Sequence, residues 1–146
     1  MPFCHAHLKG PRPLPRAYPQ VLATIGDHLR KRRLDLGLLQ GEVADRLGVT
    51  ESSVTNWELS RTEPELRFLP GIVRFLGYTP WSVDGSIGER LLAYRRERGL
   101  SQVAFARLLG VDPGTLARWE RGLRVPTGWY ARLAQAFLAG VDRLPC

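Results

Sequence analysis

The second half of the chain consists of short amphipathic segments, each with a helix start signal and a stop signal. Ser86 is followed three residues later by Glu89, the spacing of a capping box, and the helix that begins there should end at Gly99. Ser101 is the N-cap of the next predicted helix, which should end at Gly110. The apolar residues of this helix are Phe105, Ala106, Leu108 and Leu109.

A third helix is predicted after a short turn. Asp112 is positioned to cap it, and Pro113 occupies its first position, where a missing N–H costs nothing. Leu116 and Trp119 are spaced i and i+3 and should face the core. Gly122 should end this helix, and a last helix should begin at residues 126–127.

The first half of the chain follows the same plan. Its caps and stops are predicted at Thr24, Gly37, Thr50 and Pro64. Pro70 lies inside the last predicted helix and should kink or split it. Since no segment shows the alternating pattern of a strand, the predicted fold class is all-α.

The two halves repeat one another at a fixed offset of 62 residues. Without a gap, 16 of the 52 positions from residue 25 to residue 76 are identical to the position 62 residues later. Unrelated stretches of this composition would share about four. The chain therefore contains two copies of one unit, copy one and copy two. The identical pairs are Ile25/Ile87, Gly26/Gly88, Leu29/Leu91, Arg33/Arg95, Gly37/Gly99, Leu38/Leu100, Gln40/Gln102, Ala44/Ala106, Leu47/Leu109, Gly48/Gly110, Val49/Val111, Trp57/Trp119, Glu58/Glu120, Pro64/Pro126, Phe75/Phe137 and Leu76/Leu138.

These observations divide the chain into five parts. Residues 1–20 form a proline-rich basic arm, expected to be extended or disordered because its five prolines exclude a helix and a central strand. Each copy should be a bundle of about five short helices. The remaining parts are copy one at 21–78, a linker at 79–85, copy two at 86–140 and a tail at 141–146.

In each copy, two short helices are joined by a three-residue turn that begins with Gly, which is the arrangement of a helix-turn-helix. The stretches that carry it are LLQGEVADRLGVTESSVTNWELSRTEP and LSQVAFARLLGVDPGTLARWERGLRVP. Both contain Gln, then Ala, then Leu-Gly-Val, then Trp-Glu, then Pro. This pattern resembles the phage repressor and Cro type (XRE) family of bacterial transcriptional regulators, over roughly residues 22–140. The resemblance implies two tandem lambda-repressor-like helix-turn-helix bundles.

The resemblance also implies a function and residue roles. The protein should bind double-stranded DNA sequence-specifically, with recognition helices near 51–60 and 113–121 in the major groove. Gln40 and Gln102 match the Gln that opens the family's second helix and touches a phosphate.

Two ion pairs are a further implication of the resemblance. They match a partly buried pair that ties the first helix to the third in this family, and they are Arg33 with Glu58 and Arg95 with Glu120. Leu39 departs from the pattern, because copy two has a Ser cap, Ser101, at the equivalent position. The second helix of copy one should therefore begin with a weaker cap, by about 1 kcal/mol.

The chemistry of the outward-facing side chains agrees with DNA reading. Asn56 suits a bidentate pair with adenine N6 and N7, and Arg118 suits guanine O6 and N7. The residues expected to read bases are Glu51, Ser52, Thr55, Asn56, Thr115 and Arg118. The residues expected to contact phosphates are Gln40, Gln102, Arg61, Arg121 and Arg124.

Charge favours a polyanionic partner. The net charge is +7, from 21 Lys and Arg against 14 Asp and Glu. Nineteen of the 21 are Arg, which suits phosphate and guanine, although a G+C-rich genome produces the same excess. Residues 81–146 have ten Arg and six acids, whereas residues 21–80 carry eight basic and eight acidic residues. We therefore expect copy one to supply most sequence reading and copy two most phosphate attraction.

For several conspicuous residues, the sequence favours a structural role over a functional one. Trp57 and Trp119 are spaced i+3 from Val54 and Leu116 and should lie in the core rather than stack on bases. His28 is expected to be a solvated surface residue. The basic run at residues 30–33 is either a phosphate-facing patch or a solvated face.

Other classes of function lack support in the sequence. Cys4, His5 and His7 form a Cys-His-x-His cluster, but no second ligand pair follows at finger spacing, so we expect no metal and no cofactor. No nucleophile with its base and no phosphate-binding Gly loop is present, so we expect neither an enzyme nor a small-molecule ligand. No apolar run reaches the roughly 20 residues of a membrane span and no signal-peptide core is present, which favours a bacterial cytoplasmic protein, located on the nucleoid when bound.

Two alternatives to a DNA-binding regulator remain open. One is a protein-interaction module, such as an antitoxin or a coactivator. In the other, one copy binds DNA while the second forms a homodimer or binds a protein partner. A polar and basic outward face on the third helix favours DNA, whereas an apolar patch favours a protein. Copy one has the polar face, and copy two has it only through Thr115 and Arg118.

Overall fold

The computed structural model describes residues 18–140, and within them the chain is all helical, which confirms the predicted fold class. Each copy has four α-helices where about five short helices were expected, and copy one has an additional 3-10 turn at Leu66–Phe68. The helices are α1 (Ile25–Asp35), α2 (Gln40–Leu47), α3 (Glu51–Glu58), α4 (Leu69–Leu76), α5 (Ile87–Glu97), α6 (Gln102–Leu109), α7 (Pro113–Glu120) and α8 (Gly128–Leu138). None of these helices is long and apolar enough to cross a membrane.

Each copy has its own hydrophobic core, and six of the eight buried residues in each core occupy equivalent positions. Trp57 and Trp119 are both 5% exposed, so their assignment to the core is confirmed. The buried core of copy one comprises Leu29, Val43, Ala44, Val54, Trp57, Leu69, Ile72 and Leu76. That of copy two comprises Leu91, Phe105, Ala106, Leu109, Leu116, Trp119, Leu133 and Ala134. The apolar stripes read from the sequence are the faces that pack inward, with one exception. Leu108 was assigned to the stripe of α6 but is 58% exposed, because at 3.6 residues per turn it lies outside the arc that Phe105, Ala106 and Leu109 share.

The starts of α1, α3, α5, α6 and α7 follow the predicted capping signals, whereas α4 begins at Leu69 and not at the predicted Pro64. Ser86 caps α5 in a capping box with Glu89, whose carboxylate accepts the Ser86 N–H at 2.7 Å. Hydrogen bonding to the charged form keeps the pKa of Glu89 below its ordinary value. Leu39 offers α2 no side-chain acceptor, but the Glu42 carboxylate accepts its N–H at 2.7 Å. Half of a capping box therefore survives where the Ser is missing.

Pro70 splits the end of copy one as expected. Residues 66–68 form the 3-10 turn, and α4 begins afterwards with Pro70 in its first turn. Proline is tolerated there because the first N–H groups of a helix have no intrahelical partner. Copy two has Arg132 at the equivalent position and forms one uninterrupted helix, α8.

Two glycines allow the first and third helices of each copy to touch. A Cβ on Gly26 would overlap the carbonyl oxygen of Trp57, and a Cβ on Gly88 would overlap that of Trp119. Both glycines are buried inside helices, where glycine costs about 0.5–1 kcal/mol relative to alanine. The close approach explains why both copies carry glycine here.

The two copies also contact each other, through α4 and α5. Gly99, just past α5, lies so close to copy one that a Cβ there would be 2.8 Å from the carbonyl oxygen of Leu66 and 3.2 Å from the Pro70 ring. From the linker, Trp81 packs on the core of copy one, and the guanidinium of Arg96 lies 5.9 Å from its ring centroid. The linker is therefore part of a packed joint.

Of the predicted arm, residues 1–17 lie outside the described residues, as does the tail at 141–146. Tyr18, also assigned to the arm, contacts α1, because its hydroxyl donates to Asp35 Oδ1 at 2.8 Å. The end of the arm therefore lies against copy one.

Candidate nucleic-acid interface

Each copy contains two successive helices joined by a tight turn. In copy one, α2 ends at Gly48 and Thr50 caps α3, and in copy two Gly110 and Asp112 have the same roles. Gly48 and Gly110 have φ of 67° and 65°, in the left-handed region that glycine adopts without strain. The turn thereby holds the second helix of each pair across the first and leaves one face of the second helix uncovered.

The free face of α3 is polar. Glu51 and Ser52 are exposed and Asn56 is partly exposed, while Val54 and Trp57 on the opposite face are buried. The Ser52 hydroxyl lies 2.9 Å from the hydroxyl of Thr50 at the helix start. The face therefore offers a carboxylate, a hydroxyl and an amide to a ligand.

Thr55 lies at the edge of this face and is directed partly inward. Its hydroxyl donates to Gln40 Oε1 at 2.9 Å and lies 3.0 Å from the carbonyl oxygen of Glu51. Gln40 Nε2 in turn donates to Glu58 Oε2 at 2.9 Å. Two of the sequence-predicted DNA contacts are therefore joined to the ion-pair partner Glu58, and the bond to Glu58 uses one of the two Nε2 hydrogens of Gln40.

Arg33 connects α1 to this network. Its Nε lies 2.6 Å from Glu58 Oε1 and its Nη2 lies 2.8 Å from Oε2, a two-pronged ion pair. Its Nη1 donates to the carbonyl oxygen of Leu38 at 3.1 Å. The Glu58 side chain is only 2% exposed, so the pair is shielded from solvent. One buried carboxylate thereby positions α1, the start of α2 and α3.

Copy two repeats the network with one difference. Arg95 contacts Glu120 at 2.7 and 3.0 Å, and Gln102 Nε2 donates to Glu120 Oε2 at 2.8 Å. Ala117 occupies the position of Thr55 and offers no hydroxyl to Gln102. Gln102 is therefore held at its Nε2 end but lacks the second contact that orients Gln40.

The free face of α7 is poorer in reading groups than that of α3. Arg118 is exposed and Thr115 is partly exposed. Arg121 is exposed and its Nε donates to the carbonyl oxygen of Ala117 at 3.1 Å, which turns its guanidinium back along α7. Arg124 is exposed in the loop that follows, as Arg61 is in copy one. Copy two thus presents three exposed Arg side chains at the end of α7 and in the loop that follows it.

Three exposed apolar side chains that follow α7 distinguish copy two from copy one, and the sequence analysis missed them. Leu123, Val125 and Trp129 are 66%, 69% and 52% exposed. At the equivalent positions copy one has three exposed polar residues, which are Arg61, Glu63 and Arg67. This difference could have been found in the sequence by comparing the non-identical positions of the repeat.

The basic run at residues 30–33 is occupied by contacts within copy one. Lys31 lies 2.7 Å from Asp35, and hydrogen bonds to Asp35 and Tyr18 raise the pKa of Lys31 to about 12. Arg32 Nε donates to the carbonyl oxygen of Phe75 at 3.3 Å, and Arg33 binds Glu58. Three of the four cations are therefore directed at the protein.

His28 is not the simply solvated residue expected from the sequence. Its Nδ1 lies 2.7 Å from the hydroxyl of Tyr78, which comes 50 residues later in the chain. The two rings are 5.6 Å apart, and burial lowers the pKa of His28 below its ordinary value. The expectation was wrong because the segment after α4 returns to cover this side of α1.

The candidate zinc ligands Cys4, His5 and His7 lie outside the described residues. Across residues 18–140, no group of His, Cys, Asp and Glu side chains is arranged to hold a metal ion.

Comparison with known protein families assigns both halves of the chain. Residues 29–80 match a family described as helix-turn-helix, and residues 86–145 match a family described as helix-turn-helix domain. Together the two matches cover most of the chain. No solved structure matches it.

Proposed function

The chain is a tandem helix-turn-helix protein of the phage repressor (XRE-like) type, and from that premise we propose that it is a sequence-specific transcriptional regulator acting on double-stranded DNA. Domains of this type bind duplex DNA and belong to families that are not enzymes. We further place the protein on the bacterial nucleoid when it is bound.

The observation that carries the proposal is the free face of α3. It is polar and exposed through Glu51 and Ser52, and Asn56 adds an amide suited to adenine N6 and N7. The α2–turn–α3 arrangement presents this face at the surface, while the core is filled from the opposite face. Copy one is therefore assigned most of the sequence reading, with Thr55 as the remaining base-reading candidate.

Copy two is assigned most of the phosphate attraction. Its candidate base contacts are Thr115 and Arg118, and its candidate phosphate contacts are Arg121, Arg124 and Gln102. Arg side chains bind phosphate oxygens without regard to sequence. In copy one, Gln40 and Arg61 have the corresponding role.

The packed joint between α4 and α5 supports one bipartite DNA site. Because α4 contacts α5 and Trp81 packs on copy one, the two recognition helices are held in a defined relation. The copies are joined head to tail and have unequal reading faces, so the two half-sites should differ in sequence. Half-sites in this class of complex lie about one helical turn, ~34 Å, apart.

A second role is favoured by the exposed apolar residues of copy two. Leu123, Val125 and Trp129 add nothing to phosphate binding, and an exposed apolar patch marks a protein contact. This supports the alternative in which copy two also binds a protein partner or a second copy of the chain.

Selection of bound sequences from a random duplex pool tests the proposal. The full chain should enrich a non-palindromic site, and its affinity should fall linearly in a plot of log K against log salt concentration. A Ser52→Ala/Asn56→Ala variant should lose enrichment in one half-site, while Ser82→Ala in the linker should behave as the parent does. Failure to enrich any duplex, or an affinity independent of salt, would contradict the proposal.

A further inference from the structure

The segment from Leu123 to Tyr130 in copy two combines exposed apolar side chains with positive charge. Four of its residues expose apolar surface, which are Leu123 at 66%, Val125 at 69%, Trp129 at 52% and Tyr130 at 46%. They lie in the loop after α7 and in the first turn of α8. We call these four residues the apolar patch.

The segment that contains the apolar patch is rich in positive charge. From residue 113 to residue 140 the chain contains four Arg residues, which are Arg118, Arg121, Arg124 and Arg132, and all four are exposed. The same stretch contains one acidic residue, Glu120, which is buried and paired with Arg95. The exposed carboxylate just before this stretch, Asp112, caps the start of α7 by accepting the N–H groups of Gly114 and Thr115.

Copy one shows that the fold does not require this surface. The residues equivalent to Leu123, Val125 and Trp129 are Arg61, Glu63 and Arg67, and all three are exposed. Charged residues at these positions are therefore compatible with the bundle. Leu123, Val125 and Trp129 expose hydrophobic surface to water without filling the core, and such a patch is a feature of binding surfaces. Tyr130 differs from them, because its ring centroid lies 5.9 Å from that of the buried Trp119, as that of its counterpart Phe68 lies near Trp57.

We propose that the apolar patch and its Arg residues form a docking surface for an acidic, amphipathic segment of a partner protein. The apolar side of that segment covers Leu123, Val125 and Trp129, and its carboxylates face Arg121, Arg124 and Arg132. Complementary charge selects an acidic partner, and burial of apolar area provides affinity that a phosphate backbone does not provide. A second copy of this chain fits less well, because it brings four like charges to the same surface.

The proposal does not depend on DNA binding by copy one. Arg121 and Arg124 are candidates for both ligands, so an acidic segment and duplex DNA should compete for copy two. Such competition would give the partner control over the second half-site while leaving α3 free to read its own.

Binding of a synthetic peptide to the full chain tests the proposal. The probe is a labelled amphipathic helical peptide with Glu on one face and Leu and Phe on the other, and fluorescence anisotropy reports its binding. A scrambled peptide of identical composition is the control for charge alone. The parent protein should bind the amphipathic peptide about tenfold more tightly than the scrambled one.

Replacing patch residues with their copy-one counterparts separates apolar contact from charge. Leu123→Arg and Trp129→Arg each add a positive charge, so a purely electrostatic surface would bind the acidic peptide more tightly. The proposal requires the opposite, a loss of about tenfold for each variant. Leu36→Arg is the matched control: Leu36 is 43% exposed in copy one, copy two has Arg98 at the equivalent position, and the affinity should not fall.

The remaining outcomes are also decisive. Circular dichroism verifies the fold of each variant, and Trp129→Gln, which adds no charge, should lower the affinity as well. Equal binding of the two peptides, or tighter binding by Leu123→Arg and Trp129→Arg, would overturn the proposal. If both Arg variants bind peptide and duplex DNA more tightly, the surface is a phosphate-binding surface instead. Concentration-dependent dimerisation that Trp129→Arg abolishes would assign the patch to a second copy of the chain.

Discussion

Arg95 and Glu120 form a two-pronged ion pair in which Nε lies 2.7 Å from Oε1 and Nη2 lies 3.0 Å from Oε2. The side chains are 8% and 3% exposed, and Arg33 and Glu58 form the same pair in copy one. In each copy the carboxylate also accepts an N–H from the Gln that opens the second helix. The Arg33–Glu58 pair therefore holds α1 to α3, and the Arg95–Glu120 pair holds α5 to α7. In the proposed function, α3 and α7 are the helices that face DNA.

Removing one partner of this pair should destabilise copy two strongly. Glu120→Gln leaves the buried guanidinium of Arg95 without a counter-charge, and we expect a loss of about 3–5 kcal/mol in the free energy of unfolding. Urea denaturation followed by circular dichroism measures this. Arg95→Met/Glu120→Leu should recover much of the loss, because it removes both buried charges.

The matched control is the exposed pair of Glu97 and Arg98, whose charged groups are 3.8 Å apart. Glu97→Gln should change stability by less than about 1 kcal/mol because solvent screens that pair. Equal effects of Glu120→Gln and Glu97→Gln would mean that burial does not strengthen the first pair.

The close contact between α1 and α3 should make one glycine irreplaceable. Gly26→Ala places a methyl group against the carbonyl oxygen of Trp57 and should cost about 1–3 kcal/mol or more by overpacking. Gly41→Ala, inside α2, meets only the flexible end of Glu51 at 3.3 Å and should stabilise by about 0.5–1 kcal/mol. Thermal or urea unfolding of the two variants should therefore move in opposite directions, and a neutral Gly26→Ala would refute the contact.

Loss of the α3 amide should relax base preference at one position. Asn56→Ala should reduce discrimination at a single base pair by about 1–3 kcal/mol while the unfolding free energy stays near that of the parent. Arg118→Ala should act on a different base pair, in the other half-site. Sequence preferences measured from a random pool decide this, and an Asn56→Ala profile identical to the parent's would place the reading face elsewhere.

Alanine should cost more stability at Gly99, which lies at the joint between the copies, than at Gly37, the equivalent position in copy one. Their φ values are 66° and 65°, so alanine pays a similar cost of about 1–2 kcal/mol for the left-handed backbone at both positions. Only at Gly99 does the added Cβ meet copy one, near the carbonyl oxygen of Leu66, whereas Gly37 has open space. Gly99→Ala should lose more stability.

The same pair of variants tests the arrangement of the half-sites. Gly99→Ala should weaken binding to the selected bipartite duplex more than Gly37→Ala does, since it disturbs how α4 and α5 meet. Indistinguishable affinities and stabilities for the two variants would show that the contact between the copies has no role in binding.

Protonation of His28 should destabilise copy one in mild acid. Burial lowers its pKa in the folded chain below the ordinary 6.5, with Asp27 opposing and Lys31 reinforcing the shift. Because the unfolded chain binds the proton more readily, stability is full above the unfolded pKa and falls as the pH drops through it. Unfolding free energies at about pH 7.5 and about pH 5.5 should differ less in His28→Gln than in the parent. An unchanged difference would exclude His28 as a contributor.

Much of the fold followed from local signals. Ser86, Ser101 and Asp112 cap helices where their side chains reach the first free N–H groups, and this depends on the few residues that follow each of them. Pro70 divides the last element of copy one for an equally local reason. The 62-residue repeat and the helical spacing of Trp57 and Trp119 were enough to infer two similar cores.

The tertiary structure decided which surfaces meet. His28 and Tyr78 are 50 residues apart, Thr55 directs its hydroxyl to Gln40, and Gly99 lies against Leu66 of the other copy. Helical periodicity gives the direction of a side chain relative to its own helix axis, but these contacts depend on how neighbouring helices are placed. For the same reason, the sequence alone was enough to predict two helix-turn-helix units. It could not show that Leu123, Val125 and Trp129 are exposed, because that depends on whether a neighbouring helix covers them.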